Sequence, residues 1–269
     1  MKRVFITLLL AIGVLTPLQA QAQLREQDLV DRATLTVQGM MAAREGRDAI
    51  GLMRRARGAL VCPQVFKAGF VIGGQGGNCV LVGRGPNGWS SPAFYDLSAG
   101  SFGLQAGIQD SQVLFIVLTE RGLQAIIDDQ FKFGAEAGLA FATLGTGVSG
   151  STTAALKADV VAFARSRGLF AGLSLDGSLI SVKSAWNAAY YGQPIAAQQL
   201  VLQNQGNNPG AAPLREMLGR FSGAVAPGLP ANVAPAYAAP AYTAPSSPTP
   251  LNGAPSPRAP VSSAPLPNG

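Results

Sequence analysis

The chain contains no histidine. This excludes imidazole acid–base catalysis, the Ser-His-Asp triad and imidazole metal sites. It contains two cysteines, Cys62 and Cys79, too few for a thiolate zinc site. No serine sits in a G-x-S-x-G elbow. Carboxylates are available at Asp96, Asp110, Asp159 and Asp176, and hydroxyls at Ser91, Ser98 and Ser101. Asp110 and Asp176, however, fall at expected turns, where aspartate is favoured for backbone reasons. The composition argues against an enzyme, and nothing in it calls for a cofactor or a metal.

Long apolar runs are also lacking. Val4–Leu15 is the longest candidate, shorter than the ~20 residues of a spanning helix. It follows Lys2 and Arg3 and precedes Ala20-Gln21-Ala22. That is the order of a secretory signal: positive n-region, apolar h-region, small-x-small cleavage site. Residues 1–22 are therefore expected to be a signal peptide, with a membrane anchor as the alternative. The protein is expected to be exported, either periplasmic or peripheral to an envelope membrane. Removing Lys2 and Arg3 takes the formal charge from +6 to +4, since no acidic residue leaves with them. This mildly basic balance suits an anionic surface. Nothing in the sequence points to nucleic acid.

At the other end, 12 of the 19 prolines fall in 224–269, where Arg258 is the only charge. Such a segment buries too little apolar surface to offset its ordering entropy. It reads as a disordered Pro/Ala-rich tail, either an extended spacer or a ligand for a proline-reading partner. Residues 23–223 remain as one folded domain. In an exported protein two cysteines usually pair. A bridge between Cys62 and Cys79 would stabilise by ~3 kcal/mol in the chain-entropy model; two buried free thiols are the alternative.

Gln27–Ala56 has helical spacing, with Leu29, Ala33, Val37, Met40 and Met41 on one stripe and Gly46 as the interruption. Arg54, Arg55 and Arg57 fall at its end, where cations complement the helix dipole. Met40, Met41 and Met53 are candidates for an apolar face, either core or lipid-facing. From Gly58 the period becomes that of strands. "KAGFVIGGQGGNCVLV" places Gly73, Gly74, Gly76 and Gly77 between two apolar runs. No helix follows and no Gly-Lys-Ser/Thr is present, so this is a chain reversal between strands and not a phosphate cradle. Thr119 is expected to cap a helix, Glu120–Asp128. Asp176-Gly177 signals a hairpin. Ser184 is expected to cap a helix stopped by Gly192. The expected fold is α+β: N-terminal helices, then a curved, largely antiparallel, barrel-like sheet with an inserted helix, then C-terminal helices.

Four blocks, "KAGFVIGGQGG", "GWSSPAFYDLSAGSFGLQAGIQ", "SRGLFAGLSLDGSL" and "AYYG", resemble the lipid-binding SYLF domain over Leu29–Gly192. The resemblance implies membrane association and, in eukaryotic members, phosphoinositides and actin-linked machinery. In bacterial members it implies export. Cys62 and Cys79 depart from the family's pattern, which makes a disulfide a local feature. An exported protein meets no actin, so anionic headgroup recognition is what carries over. The candidate headgroup cations are Arg54, Arg55, Arg57, Lys67, Arg165 and Arg167, with Lys67 expected beside the Arg54/Arg57 face; a solvated basic face is the alternative. The expected function is a non-catalytic lipid or anionic-membrane binding module. The competing reading is an envelope structural or assembly protein that uses the sheet domain and the tail to hold protein partners.

Overall fold

A computed structural model describes residues 16–43, 46–70, 72–102, 107–128, 131–132, 139–143, 158–168 and 177–223. The expected tail, 224–269, and Asp176 of the Asp-Gly pair lie outside the described residues.

Helix α1 is Thr16–Ala42. Its backbone begins upstream of Ala22, so a chain processed there would start inside this helix. Leu29, Val30, Ala33, Val37, Met40 and Met41 are all buried, so the stripe read from spacing is core. Met53 is buried too, and none of the three methionines is a lipid-facing residue. Gly46 opens helix α2, Gly46–Met53. A Cβ there would lie 2.6 Å from the Met40 carbonyl oxygen and 2.7 Å from that of Met41. Only glycine lets the second helix start this close to the first.

The second helix ends earlier than the expected Ala56. Arg55 N bonds to Leu52 O at 2.9 Å and Ala56 N to Met53 O at 3.2 Å, both tightened i−3 contacts. The chain then enters strand β1, Gly58–Gly69. Strands β2, Ile72–Gly85, and the short β3, Gly88–Trp89, follow. Next come β4, Ala93–Phe102, and β5, Gly107–Val117. Helix α3, Glu120–Ile127, is the inserted helix. It begins as expected, with Thr119 Oγ1 accepting from Gly122 N at 3.0 Å. After it come β6, Phe131–Lys132, β7, Leu139–Thr143, β8, Val160–Gly168, and β9, Leu179–Val182.

The strands form one sheet in the order β6-β9-β4-β2-β1-β5-β8-β7, with β3 paired to β2. Every pairing is antiparallel except β7 with β8. The edge strands β6 and β7 do not pair with each other among the described residues, so the sheet is open. After Gly177, β9 pairs with β4 and β6; the run preceding Asp176 lies outside the described residues.

Helix α4, Ser184–Tyr191, starts after Lys183 as its N-cap, one residue earlier than the expected Ser184 cap. It ends at Gly192 with φ 71°, the left-handed stop that glycine supplies. Helix α5, Ala197–Val201, a 3₁₀ turn, Pro209–Ala211, and helix α6, Ala212–Ser222, complete the domain.

The core has two layers. Leu60, Leu81, Tyr95, Phe115 and Ala162 face α3 and α5. Val61, Val80, Phe94, Leu114 and Phe163 face α1, α2, α4 and α6. Ala59–Cys62, Cys79–Val82 and Val113–Val117 are unbroken apolar runs because helices cover both faces of these strand segments.

The glycine-rich stretch is strand, not turn. The reversal falls at Phe70, whose N–H donates to Ile72 O at 3.3 Å. Gly73, Gly74 and Gly76 sit in β2 opposite Gly69, Ala68 and Phe66. The ladder shifts between Val61 and Phe66, and there a Cβ on Gly77 would collide with the Gln64 carbonyl oxygen. Glycine permits that close approach of backbones. Next to this bulge Cys62 and Cys79 form a buried disulfide, with Cα atoms 4.2 Å apart.

Candidate functional site: an open sheet end and a groove

The six cations singled out from the sequence do not form one cluster. Arg54, Arg55 and Arg57 are exposed where α2 hands over to β1. Arg54 and Arg55 lie in the turn after α2, and Arg57 lies beyond it with its N–H bonded to Val117 O at 2.7 Å. They therefore share no helix face. Lys67 is nine residues along β1 from Gly58, roughly 30 Å at strand rise. It is buried, opposite Gln75 and Gln109, and does not lie beside Arg54. Arg165 and Arg167 are on β8 opposite Gln112 and Asp110, at Lys67's end of the sheet.

The first end has a member that local sequence did not reveal. Arg84 Nη1 donates to Arg54 O at 2.7 Å, and its Nη2 to Ser222 O at 3.4 Å. This guanidinium ties β2 to the exit of α2 and the end of α6. Its role is set by residues 30 and 138 positions away, beyond the reach of any sequence window.

The second end differs in kind. Phe66, Phe70, Ile72 and Ile108 are exposed, with Phe70 and Ile72 at 75% and 70%. Ladder parity places Phe66, Ala68, Ile72 and Ile108 on the same face of neighbouring strands, because Ala68 pairs with both Gly74 and Ile108. It is the face that α1 covers further back, left bare here. Lys67, between Phe66 and Ala68, points to the opposite face. No charged residue occurs from Ala68 to Gly83.

Behind this bare face a groove runs between α1 and the sheet. One cavity of about 450 Å³ is lined by Arg25, Asp28, Leu29, Arg32, Phe66, Trp186 and neighbours. A second, of about 360 Å³, is lined by Arg32, Leu35, Asp110, Gln112 and Arg165 among others. They share Arg32, Pro63 and Gln64. Asp28 is held by Arg32 at 2.9 Å. At the groove's edge Lys183 Nζ donates to Asn78 Oδ1 at 2.7 Å and lies 3.7 Å from the Trp186 ring centroid. Burial pushes the Asp96 carboxyl above the usual range, and Lys183 partly opposes this.

Two of the candidate catalytic groups have structural uses. Asp159 is buried, accepts from Thr119 Oγ1 at 2.6 Å and pairs with Arg121. Ser91 Oγ donates to Gly206 O at 2.6 Å. Among the described residues no group of His, Cys, Asp or Glu is arranged to hold a metal ion, and no helix is long and apolar enough to cross a membrane.

A family model described as "Ysc84: Las17-binding protein actin regulator" matches residues 98–221. The match begins inside the second of the four blocks quoted above and runs past Gly192. The chain is 29% identical over 187 residues to SH3 domain-containing YSC84-like protein 1 of Homo sapiens, covering 68% of this chain and 54% of that protein. The protein of the same name from Xenopus laevis is 30% identical over 188 residues, covering 68% and 56%. LAS seventeen-binding protein 3 of Saccharomyces cerevisiae is 28% identical over 171 residues, covering 62% and 37%. The chain thus spans about half the length of the vertebrate relatives it matches.

Proposed function

Because the chain carries a domain of the Ysc84/SYLF family, a family that binds lipids, we propose that it is a non-catalytic module for anionic lipid surfaces, acting after export at the cell envelope. The observation that supports this most is the bare sheet end. Singly exposed apolar side chains are ordinary on any protein. Phe66, Phe70, Ile72 and Ile108 are four of the seven large apolar side chains exposed among the described residues, and they converge at the β1–β2 reversal and the start of β5. A concentrated patch of this kind marks an interaction surface. Its backbone is already paired in the ladder, from Gly69↔Gly73 to Ile72↔Phe102. The paired residues therefore bring side chains to lipid with fewer of the free peptide groups that hydrocarbon would penalise.

Flotation with phosphatidylglycerol-containing and pure phosphatidylcholine vesicles tests the reading. Recovery should be higher with the anionic vesicles and should fall with salt, because charges near a surface are screened within ~8–10 Å at physiological ionic strength. Equal recovery from both, insensitive to salt, contradicts the headgroup part.

The relatives' names favour a second reading: the family model is described as Las17-binding and the yeast relative as LAS seventeen-binding. In that reading the bare sheet end docks a protein in the envelope. Pull-down of partners with and without 224–269, in the absence of lipid, separates it from the first.

A further inference from the structure

We infer that the end of the sheet opposite the bare one is a second interaction surface, where Arg54, Arg55, Arg57, Arg84 and Arg220 receive a carboxylate-rich segment of a partner protein. The domain then has one end for a membrane and one for a protein.

The five arginines are scattered in sequence and meet at one place. Arg84 N bonds to Arg57 O at 2.8 Å, one rung beyond the Gly58↔Gly83 pair. These two residues therefore sit side by side, with Cα atoms ~5.5 Å apart at ladder spacing. Arg84 Nη1 reaches the Arg54 carbonyl at 2.7 Å, next to Arg55. Its Nη2 reaches the Ser222 carbonyl at 3.4 Å, just past Arg220 on α6.

Their charge is unspent. Helices α2 and α6 both end here, and the carbonyl ends of helices attract cations. Half-buried Arg84 serves that need by donating to both. The side chains of Arg54, Arg55, Arg57 and Arg220 are exposed. Among the described residues the ion pairs are Arg32–Asp28 and Arg121–Asp159. Asp48 on α2, Glu216 on α6 and Glu120 at the start of α3 thus make no ion pair with the five.

The chemistry selects the occupant among polyanions. A lipid surface is too far. From Gly58 to Lys67 the strand runs roughly 30 Å, about three screening lengths at physiological ionic strength. A membrane met by Phe70 and Ile72 is therefore hardly felt here. Nucleic acid finds no stacking platform, because the exposed aromatic side chains among the described residues, Phe66 and Phe70, are at the other end. Carboxylates fit: the guanidinium fork donates to them in pairs, and clustered arginines are a recurrent means of holding acidic segments.

The test uses the full chain and the fluorescence anisotropy of a labelled peptide of alternating Asp and Glu, without lipid. Its Asn/Gln counterpart and a short oligothymidylate are the comparisons. The acidic peptide should bind in preference to both, and more weakly as salt rises. Arg54→Gln with Arg57→Gln should weaken it by about 3-fold per arginine, ~10-fold together. The melting temperature should hold, because Arg84 bonds the Arg54 carbonyl and not its side chain. Arg25→Gln, in the groove beside the other end, should change nothing. Phosphatidylglycerol vesicles should leave the peptide bound. The inference is overturned if the Asn/Gln peptide or the oligothymidylate binds as tightly, or if the Arg54/Arg57 variant binds like the parent. It is overturned too if the vesicles displace the peptide, since these arginines are then the headgroup site. Peptide binding by a chain that does not float with vesicles supports this surface and overturns the lipid reading alone.

Discussion

Breaking the Cys62–Cys79 bridge should cost the domain about 3 kcal/mol. The bridge joins positions 17 apart on adjacent strands. In the chain-entropy model a loop of that size corresponds to ~3 kcal/mol, supplied by restricting the unfolded chain. For a domain of this size each kcal/mol moves Tm by ~2–4 °C, so reduction should lower Tm by ~6–12 °C. Both cysteines are fully buried, so the native protein should resist reductant until it opens. The clean assay is a double-mutant cycle followed by urea denaturation. Cys62→Ala and Cys79→Ala each remove the whole bridge, and the double variant should cost little more than either one. The coupling energy should then be ~3 kcal/mol, far above the few tenths expected of independent sites. Two small, additive effects would show that the bridge is absent or adds nothing, and would refute this account of the β1–β2 bulge.

Other perturbations test the frame around the site. Thr119→Ala removes the α3 cap and a partner of buried Asp159; it should destabilise by ~1–2 kcal/mol in a denaturant titration. Gly77→Ala places a Cβ against the Gln64 carbonyl, backbone against backbone, and should cost ~1–3 kcal/mol as overpacking, whereas Gly100→Ala meets open space and should cost less. Burial pushes the Glu26 carboxyl up, opposed by its backbone bond, Arg25 and Lys183. The folded protein therefore holds a proton at pH values where the unfolded chain has released it, so this group costs stability as pH rises through and above the glutamate range. Glu26→Gln should raise Tm at neutral pH, and the gain should vanish in acid, where both states are protonated.

Much of the frame could be read locally. The α1 stripe, the Gly46 break, the Thr119 cap and the Gly192 stop depend on neighbours within a turn or two, and they stand where spacing placed them. Lys67 shows what spacing misses. It follows Arg57 by ten positions, yet an extended strand carries it to the far end of the sheet and the ladder turns it inward. The glycine cluster misleads for a similar reason: glycine favours reversals, but here the four lie in a strand, and Gly77 serves a close backbone approach at a bulge that only the β1–β2 register reveals. The bare sheet end was hidden because "FKAGFVI" reads like any buried strand. Its exposure follows from where α1 stops covering the sheet, a tertiary fact. The groove joins α1 to β5 and β8, more than 70 positions apart, and no motif marks it.

The central claim is that the apolar sheet end meets lipid, and the most direct measurement is the partition coefficient of Phe70→Ser with Ile72→Ser on phosphatidylglycerol vesicles. Both side chains are mostly exposed, so Tm should stay within a degree or two of the parent. Full burial of such a side chain is worth ~1.5–3 kcal/mol, and partial insertion about 1 each. The account predicts a loss of ~2 kcal/mol, about 30-fold in partition. A variant that keeps its fold and binds the vesicles as tightly as the parent would contradict it.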